Sequence, residues 1–219
     1  AKDCCAFFNL ECYRDGTIVT SRKGIRRYEL TVQGKAAHSS VCNQGISSVL
    51  EMSHKIIELE KLKQPDDITI NIGTIEGGTT TNTVPEICKI SIDVRFNDEK
   101  QMNEADNYIR NIADTSYVPG TKASLKLIST RIAMEHKEEN TLLLNKINDV
   151  FSKCGLSLLR ERKAAGGSDA AYTSNANIPT IDSIGVSGGY IHSKDEYANI
   201  DSLAENAKRM AAVIYGIND

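Results

Sequence analysis

No stretch of apolar residues in this sequence comes near the roughly 18 residues that a membrane-spanning helix needs. The longest apolar runs are short, as at Ala211 to Tyr215. There is also no basic tract, because 26 basic side chains are balanced by 29 acidic ones and the net charge is −3. We therefore expect neither a membrane nor a nucleic acid as a partner. The composition is that of a globular chain, and 219 residues suffice to bury a core without disulfides.

The sequence has six cysteines but no Cys-x-x-Cys pair, so the ligand spacing of a zinc knot is absent. Six cysteines are too sparse in a chain of this length for a disulfide scaffold. They occupy positions 4, 5, 12, 42, 88 and 154. We interpret them as reduced and mostly buried thiols of a cytoplasmic protein.

Residues 24–133 show a change of hydrophobic period in a definite order. Strand-like alternation through Tyr28 is followed by helical spacing from Ile46 to Ile57, and then by two more alternating segments through Ile70 and Ile92. A second helical pattern around Ile109 and a last strand at residues 123–127 complete the order β-α-β-β-α-β, that of a two-layer sandwich. In the first helix we expect Glu51, Lys55 and Glu58 to point outward.

The flanking segments predict a second, discontinuous domain. Residues 1–23 indicate a helix end at Phe7 and Phe8, a short strand around Leu10 and a strand at Ile18 and Val19. Residues 134–219 indicate helices at 141–154, near 169 and at 201–215, and strands at 156–161 and 179–185. Alternating strands and helices favour an α/β layer. We predict an α/β domain from residues 1–23 and 134–219, with residues 24–133 as a ferredoxin-like insertion.

Two of the four histidines stand in surroundings that suit a ligand. His38 and His192 lie in loops among small residues, which leave room for a molecule to approach. Both remain open to the simpler interpretation of a satisfied loop histidine. His54 is expected on a helix surface, and His136 on a solvated polar stretch that opens a helix.

A glycine turn at Gly166–Gly167 leads into a helix, and either Ser168 or Asp169 could cap that helix. Helix N-termini bind anions, but a plain capped turn explains the same residues. The spacing is not that of a phosphate-binding P-loop.

Four segments together resemble a known family. They are Gly34-Lys35-Ala36-Ala37-His38-Ser39; Gly73 to Gly78 with Asn82-Thr83-Val84-Pro85 and Asp93-Val94-Arg95; Gly166-Gly167-Ser168-Asp169-Ala170; and Tyr190 to Tyr197. In this order and spacing they resemble the zinc metallopeptidases that include glutamate carboxypeptidase, aminoacylase, acetylornithine deacetylase and succinyl-diaminopimelate desuccinylase. The resemblance covers the carboxy-terminal two-thirds of such enzymes.

The resemblance implies a role for individual residues. Glu11 and His192 would be ligands of a centre that holds two zinc ions per subunit, and His38, reaching across a dimer interface, would stabilise the tetrahedral oxyanion. Asn82 would contact the substrate in a similar way. We take Arg95 and Arg131 as candidates for binding a substrate carboxylate, and Gly167 and Ser168 as substrate-binding residues.

The sequence departs from the family at the metal site. It has no His-x-Asp pair, and no Glu-Glu pair before Glu11 to supply a general base and a further ligand. Two ligands cannot hold two metals. We therefore expect a fragment that is inactive by itself and exposes apolar surface on residues 1–23 and 134–219.

Two functions follow from these observations. The first is a zinc-dependent amidohydrolase or exopeptidase that cleaves a small peptide or an N-acyl amino acid, working as a homodimer through the inserted lid domain. The alternative is a non-catalytic dimerisation or small-ligand-binding module. The sequence leaves the exact substrate, the oligomeric state and the metal occupancy open.

Overall fold

The computed structural model describes residues 4–14, 16–64 and 67–217. The outer limits predicted for the discontinuous domain, residues 1 and 219, lie outside these ranges. The elements are β1 (Phe7–Asn9), β2 (Thr17–Arg22), β3 (Gly24–Gln33), α1 (Ser48–Glu60), β4 (Thr69–Gly77), β5 (Ile87–Phe96), α2 (Glu99–Asp114), β6 (Lys122–Arg131), α3 (Glu138–Lys153), β7 (Arg160–Ala164), α4 (Ala170–Asn175), β8 (Thr180–Asp182), β9 (Gly188–Gly189), β10 (Tyr197–Ala198) and α5 (Ile200–Gly216).

The chain divides into two compact units. The first consists of Ala1–Lys23 and Ala133–Asp219, and the second of Gly24–Ile132. The second unit has the element order β3-α1-β4-β5-α2-β6, with a short 3-10 helix at Ser39–Gln44 between β3 and α1. The predicted α/β class, with an inserted β-α-β-β-α-β sandwich, is confirmed.

The sheet of the second unit is antiparallel, with the strand order β4-β5-β3-β6. One face carries the buried side chains that pack on α1 and α2, because strand side chains alternate between the two faces. This core includes Tyr28, Leu30, Ile90, Ile92 and Ile109. The other face is polar, and on it Asp93 pairs with both Arg27 and Arg95.

The expectation that Glu51 and Lys55 point outward is wrong. Their side chains are each 1% exposed, and Lys55 Nζ lies 3.0 Å from Glu51 Oε1. Lys55 Nζ also donates to the carbonyl oxygens of Ile112, Ala113 and Thr115, at 2.7, 3.0 and 2.5 Å. The carbonyls at the end of α2 have no intrahelical partner, so a buried ammonium satisfies them where water cannot reach.

Glu51 completes the same arrangement from the preceding turn of α1. Its Oε2 accepts the backbone N–H groups of Tyr117 and Val118, at 2.9 and 2.6 Å. With the two charged residues turned inward, Leu50 and Ile57 lie on the exposed side of α1. This departure from the expected helix faces is partial, since Val49 and Ile56 still pack against the core, and it follows from partners about 60 residues further along the chain.

The first unit has a four-stranded sheet in the order β1-β8-β2-β7 and a small β9-β10 hairpin. β1 is parallel to β8, and β2 is parallel to β7.

The prediction of a helix end at Phe7 and Phe8 is wrong, because both residues lie in β1 and pair with Thr180 and Ile181. The predicted strand at 156–161 is displaced to Arg160–Ala164, and Leu10 lies just after β1. The helices predicted at 141–154 and 201–215 are found within three residues of those bounds.

The last helix, α5, presents apolar side chains to the outside. Its buried residues are Ser202, Asn206, Arg209 and Val213, three of them polar. The opposite side is an exposed apolar stripe formed by Ile200, Leu203, Ala204, Ala207, Ala211, Ile214 and Tyr215. This stripe lies on a segment where the sequence predicts exposed apolar surface.

Among the helices of the described chain, none has the combination of length and apolar character that crossing a membrane requires.

Candidate functional site

His38 stands on a loop that backbone hydrogen bonds close at its base. Lys35 and Ile46 exchange two such bonds, each 2.9 Å long. Gly34 is required just before this pair, since a Cβ atom there would lie 2.1 Å from the carbonyl oxygen of Ile46. His38 itself precedes the 3-10 helix Ser39–Gln44 and caps it, accepting the N–H of Ser40 on Nδ1. The imidazole is therefore held by its own loop.

The structure brings Asn82 next to this histidine loop. The N–H of Ser39 donates to the carbonyl of Asn82 at 2.9 Å, and the N–H of Val84 donates to the carbonyl of Ala37 at 2.8 Å. The Asn82 side chain is held in turn, because Thr80 Oγ1 donates to its Oδ1 at 2.8 Å. Two residues predicted to act on the substrate thus lie on adjacent, mutually bonded segments.

Arg95 and Arg131 lie together on the polar face of the same sheet. Each is directly opposite Ile25, Arg95 on β5 and Arg131 on β6. Arg95 Nε donates to Asp93 Oδ1 at 2.6 Å. The loop that holds His38 follows Gln33, eight residues from Ile25 along β3, which places it about 27 Å away at the rise of an antiparallel strand. The structure does not bring either arginine to His38 within one unit.

Glu11 lies in the wall of a cleft of about 540 Å³ in the first unit. Its carbonyl accepts the N–H of Gly185 at 3.0 Å, and the N–H of Tyr13 donates to Val186 at 2.9 Å. These bonds hold the segment after β1 against the one after β8. The cleft is lined further by Asn9, Cys12, Gly188, Gly189, Glu196 and Tyr197.

His192 lies on a loop at the same cleft, between the lining residues Ile191 and Glu196. Its own side chain is exposed and is not part of the lining. The backbone of His192 has a φ of 67°, in the left-handed region that non-glycine residues seldom adopt. Its N–H donates to Glu196 Oε2 at 3.3 Å, so Glu196 supports this conformation.

The described residues alone do not fit a metal site. Among them, no group of three or more His, Cys, Asp and Glu side chains is placed to hold an ion. A catalytic zinc ion needs about three protein ligands. Glu11 and His192 therefore supply too few donors for one ion, and still fewer for two. His136, the other histidine near carboxylates, pairs with Glu161 at 2.9 Å on the surface.

The turn at residues 166–170 is anchored inside a polar network that the sequence interpretation did not find. Ser168 Oγ accepts the N–H of Ala170 and the side-chain amide of Asn9, at 3.3 and 2.8 Å. Of the two possible caps of α4, Ser168 therefore makes the hydrogen bond. Asn9 also donates to Asp182 Oδ1 at 3.3 Å, and Arg22 Nε lies 2.6 Å from Asp182 Oδ2.

The acidic residue that ends β8 is the feature that could have revealed this network. Asp182 is fully buried at the end of β8, and a buried carboxylate requires a partner. Arg22 supplies that partner and also donates to the carbonyl of Gly166 at 3.0 Å. The neighbouring Gly167 and Ser168 are thereby fixed in position, and their substrate-binding role stays a prediction.

Comparison with known proteins agrees with this architecture. Residues 20–121, which include most of the inserted sandwich, match the family described as peptidase dimerisation domain. Carboxypeptidase G2 of Pseudomonas sp. (strain RS-16) is 25% identical over 205 residues, which cover 91% of this chain and 49% of that protein. Succinyl-diaminopimelate desuccinylase of Parvibaculum lavamentivorans is 23% identical over 209 residues, with coverages of 91% and 51%. The chain thus spans about half the length of these relatives.

A solved structure shows the same fold. The crystal structure of a tripeptidase from Staphylococcus aureus superposes with a TM-score of 0.83 at 22% identity, over 98% of this chain and 57% of the tripeptidase chain. Homology to peptidases and amidohydrolases confirms the resemblance to the metallopeptidase family that the motifs indicated.

Proposed function

We propose that this chain is the dimerisation domain and part of the catalytic domain of a zinc-dependent amidohydrolase or exopeptidase. Its substrate would be a small peptide or an N-acyl amino acid. The observation that carries the proposal is the pairing of His38 with Asn82 on bonded segments, within residues that match a peptidase dimerisation domain. Both side chains can donate hydrogen bonds to a developing oxyanion.

The proposed zinc centre uses Glu11 and His192, which flank one cleft, together with ligands outside the described residues. Zinc would supply Lewis-acid activation of water and of the scissile carbonyl. The residues present here would hold one part of that centre and leave the general base to be provided elsewhere. We therefore expect the 219-residue chain by itself to leave peptides uncleaved.

The proposed assembly is a homodimer through the inserted domain. A carboxylate role for Arg95 or Arg131 depends on it, because His38 of the same chain is too distant to contact the same small substrate. His38 from the second chain would remove that conflict. The expectation that the cysteines are mostly buried is wrong, because only Cys88 of the six is buried. All six are free thiols, and this supports the proposal of a reducing, cytoplasmic location.

Three measurements test this function. Light scattering should give a mass twice that of the 24.0-kDa chain. Metal analysis of a form that carries the remaining ligands should give about two zinc ions per subunit. In that form His38→Ala should lower turnover of a dipeptide or N-acyl amino acid by about 100-fold, as loss of an oxyanion donor does. His54→Ala serves as the control, since His54 is an exposed helix residue that stacks on Tyr117.

A stable dimer without zinc, unaffected by chelators, would instead support the non-catalytic module. A near-normal rate in His38→Ala would remove this residue from the mechanism while leaving the fold assignment intact.

A further inference from the structure

The ring of His38 makes both of its observed hydrogen bonds through one nitrogen. Nδ1 lies 3.3 Å from the backbone nitrogen of Ser40 and 2.8 Å from Ser40 Oγ. Within the described residues no partner contacts Nε2. The two contacts on Nδ1 come from the same residue, so Ser40 holds one side of the imidazole and leaves the other side free.

The backbone contact determines which nitrogen carries the proton. A peptide N–H can only donate, whereas the serine hydroxyl can donate or accept. A proton on Nδ1 would therefore face the N–H of Ser40, and two donors would point at each other. With Nδ1 unprotonated, both the N–H and the hydroxyl of Ser40 can donate to it. In the neutral ring the proton then belongs on Nε2.

We propose that Ser40 is a positioning residue that holds His38 as the Nε2–H tautomer, so that the ring presents an N–H donor away from its own loop. The inference rests on the proposed function for its meaning, because a donor is what a tetrahedral oxyanion requires. The same arrangement prevents neutral His38 from accepting a proton at Nε2. His38 would thus serve as a hydrogen-bond donor and not as a general base.

The tautomer can be measured on this chain without metal or substrate. We would label the protein with ¹⁵N-histidine, assign His38 with a His38→Gln variant, and record long-range ¹H–¹⁵N correlations of the neutral ring. The expected spectrum shows an unprotonated Nδ1 and a protonated Nε2. Ser40→Ala should shift the Nδ1 signal by removing the hydroxyl donor, and Ser40→Thr should restore it.

Ser39→Ala is the matched control, since Ser39 is the adjacent exposed serine and its side chain makes no hydrogen bond among the described residues. Its Nδ1 signal should equal that of the unaltered chain. A proton on Nδ1, or an Nδ1 signal that responds equally to Ser39→Ala and Ser40→Ala, would overturn the proposal.

A kinetic measurement separates this inference from the proposed function. In a catalytically complete form, Ser40→Ala should lower kcat by roughly 10-fold with little change in KM, less than loss of the donor itself. Ser40→Thr should recover most of the rate. If His38→Ala were fully active while the spectra showed the Nε2–H tautomer, the oxyanion role proposed for His38 would fail and the tautomer assignment would stand. Full activity of Ser40→Ala beside an inactive His38→Ala would refute the positioning role.

Discussion

The buried pair of Lys55 and Glu51 permits a quantitative test of the inserted domain. We consider Lys55→Met, which keeps the length of the side chain and removes its charge. The substitution leaves the Glu51 carboxylate buried without its cation and removes the donor from three carbonyl oxygens at the end of α2. Removing one partner of a buried ion pair costs about 3–5 kcal/mol of unfolding free energy.

The size of the effect should depend on Glu51. In the double variant Glu51→Gln with Lys55→Met no buried charge remains, and the Gln oxygen can still accept the N–H groups of Tyr117 and Val118. We therefore expect the double variant to be more stable than Lys55→Met alone, by about 1–3 kcal/mol, because it no longer leaves a buried charge without a partner.

Urea unfolding followed by circular dichroism measures these free energies, since the chain has no Trp to report by fluorescence. Hydrogen exchange should localise the loss of protection to the amides of residues 112–118. The matched control is Lys61→Met, which breaks the exposed Lys61–Glu58 pair at the end of the same helix and should change stability little. A Lys55→Met variant no less stable than Lys61→Met would refute the assignment of a buried, compensated pair.

Three further outcomes follow from the structure. Burial, assisted by its hydrogen bond to Asp106, raises the pKa of Tyr28 to about 12. Because burial favours the neutral, protonated phenol, its contribution to the free energy of unfolding is present below pH 10 and is lost as the pH rises towards 12. This loss amounts to roughly 2–3 kcal/mol, and unfolding titrations of Tyr28→Phe should lack it. Replacing Leu203 and Ile214 of the apolar stripe by Lys should reduce association beyond the proposed dimer in sedimentation velocity, whereas two lysines on exposed polar sites of α3 should not. Gly34→Ala should lower the melting temperature and disturb the NMR signals of His38, because the added Cβ meets the carbonyl of Ile46; an unchanged spectrum would contradict the tight approach.

The parts of the fold that the sequence predicted correctly are those with a local signal. The strands of the inserted sheet alternate apolar and polar residues, and this period is visible over a few residues, as in Ile90, Ile92 and Val94. β1 has no such signal, because a pair of phenylalanines suits a helix end or a strand equally. Its identity comes from pairing with β8, about 170 residues away.

Charged residues misled the interpretation for a related reason. Glu51 and Lys55 are charged residues of a helix, and the sequence pattern predicts that they face solvent. Their partners lie in the last turn of α2 and in the segment after it. The network of Asn9, Arg22 and Asp182 has no local sequence signal. Its members come from β1, β2 and β8, which are neighbours in the sheet but separate segments of the sequence. Burial of a charge is decided by tertiary partners, which periodicity does not report.

The candidate site shows the same difference between local and long-range sequence signals. The loop pairing of His38 with Asn82 is built from backbone bonds within residues 34–85 of one unit, and both residues stand in motifs that the sequence singles out, while their roles stay predictions. The pair Glu11 and His192 belongs to a cleft that contains too few ligands in the described chain. A tautomer measurement at His38 and a zinc measurement at the cleft are therefore independent. If the first gave the Nε2–H form and the second gave no zinc under any condition, the inserted domain would retain a preformed donor, and only the metal-dependent part of the function would have to be abandoned.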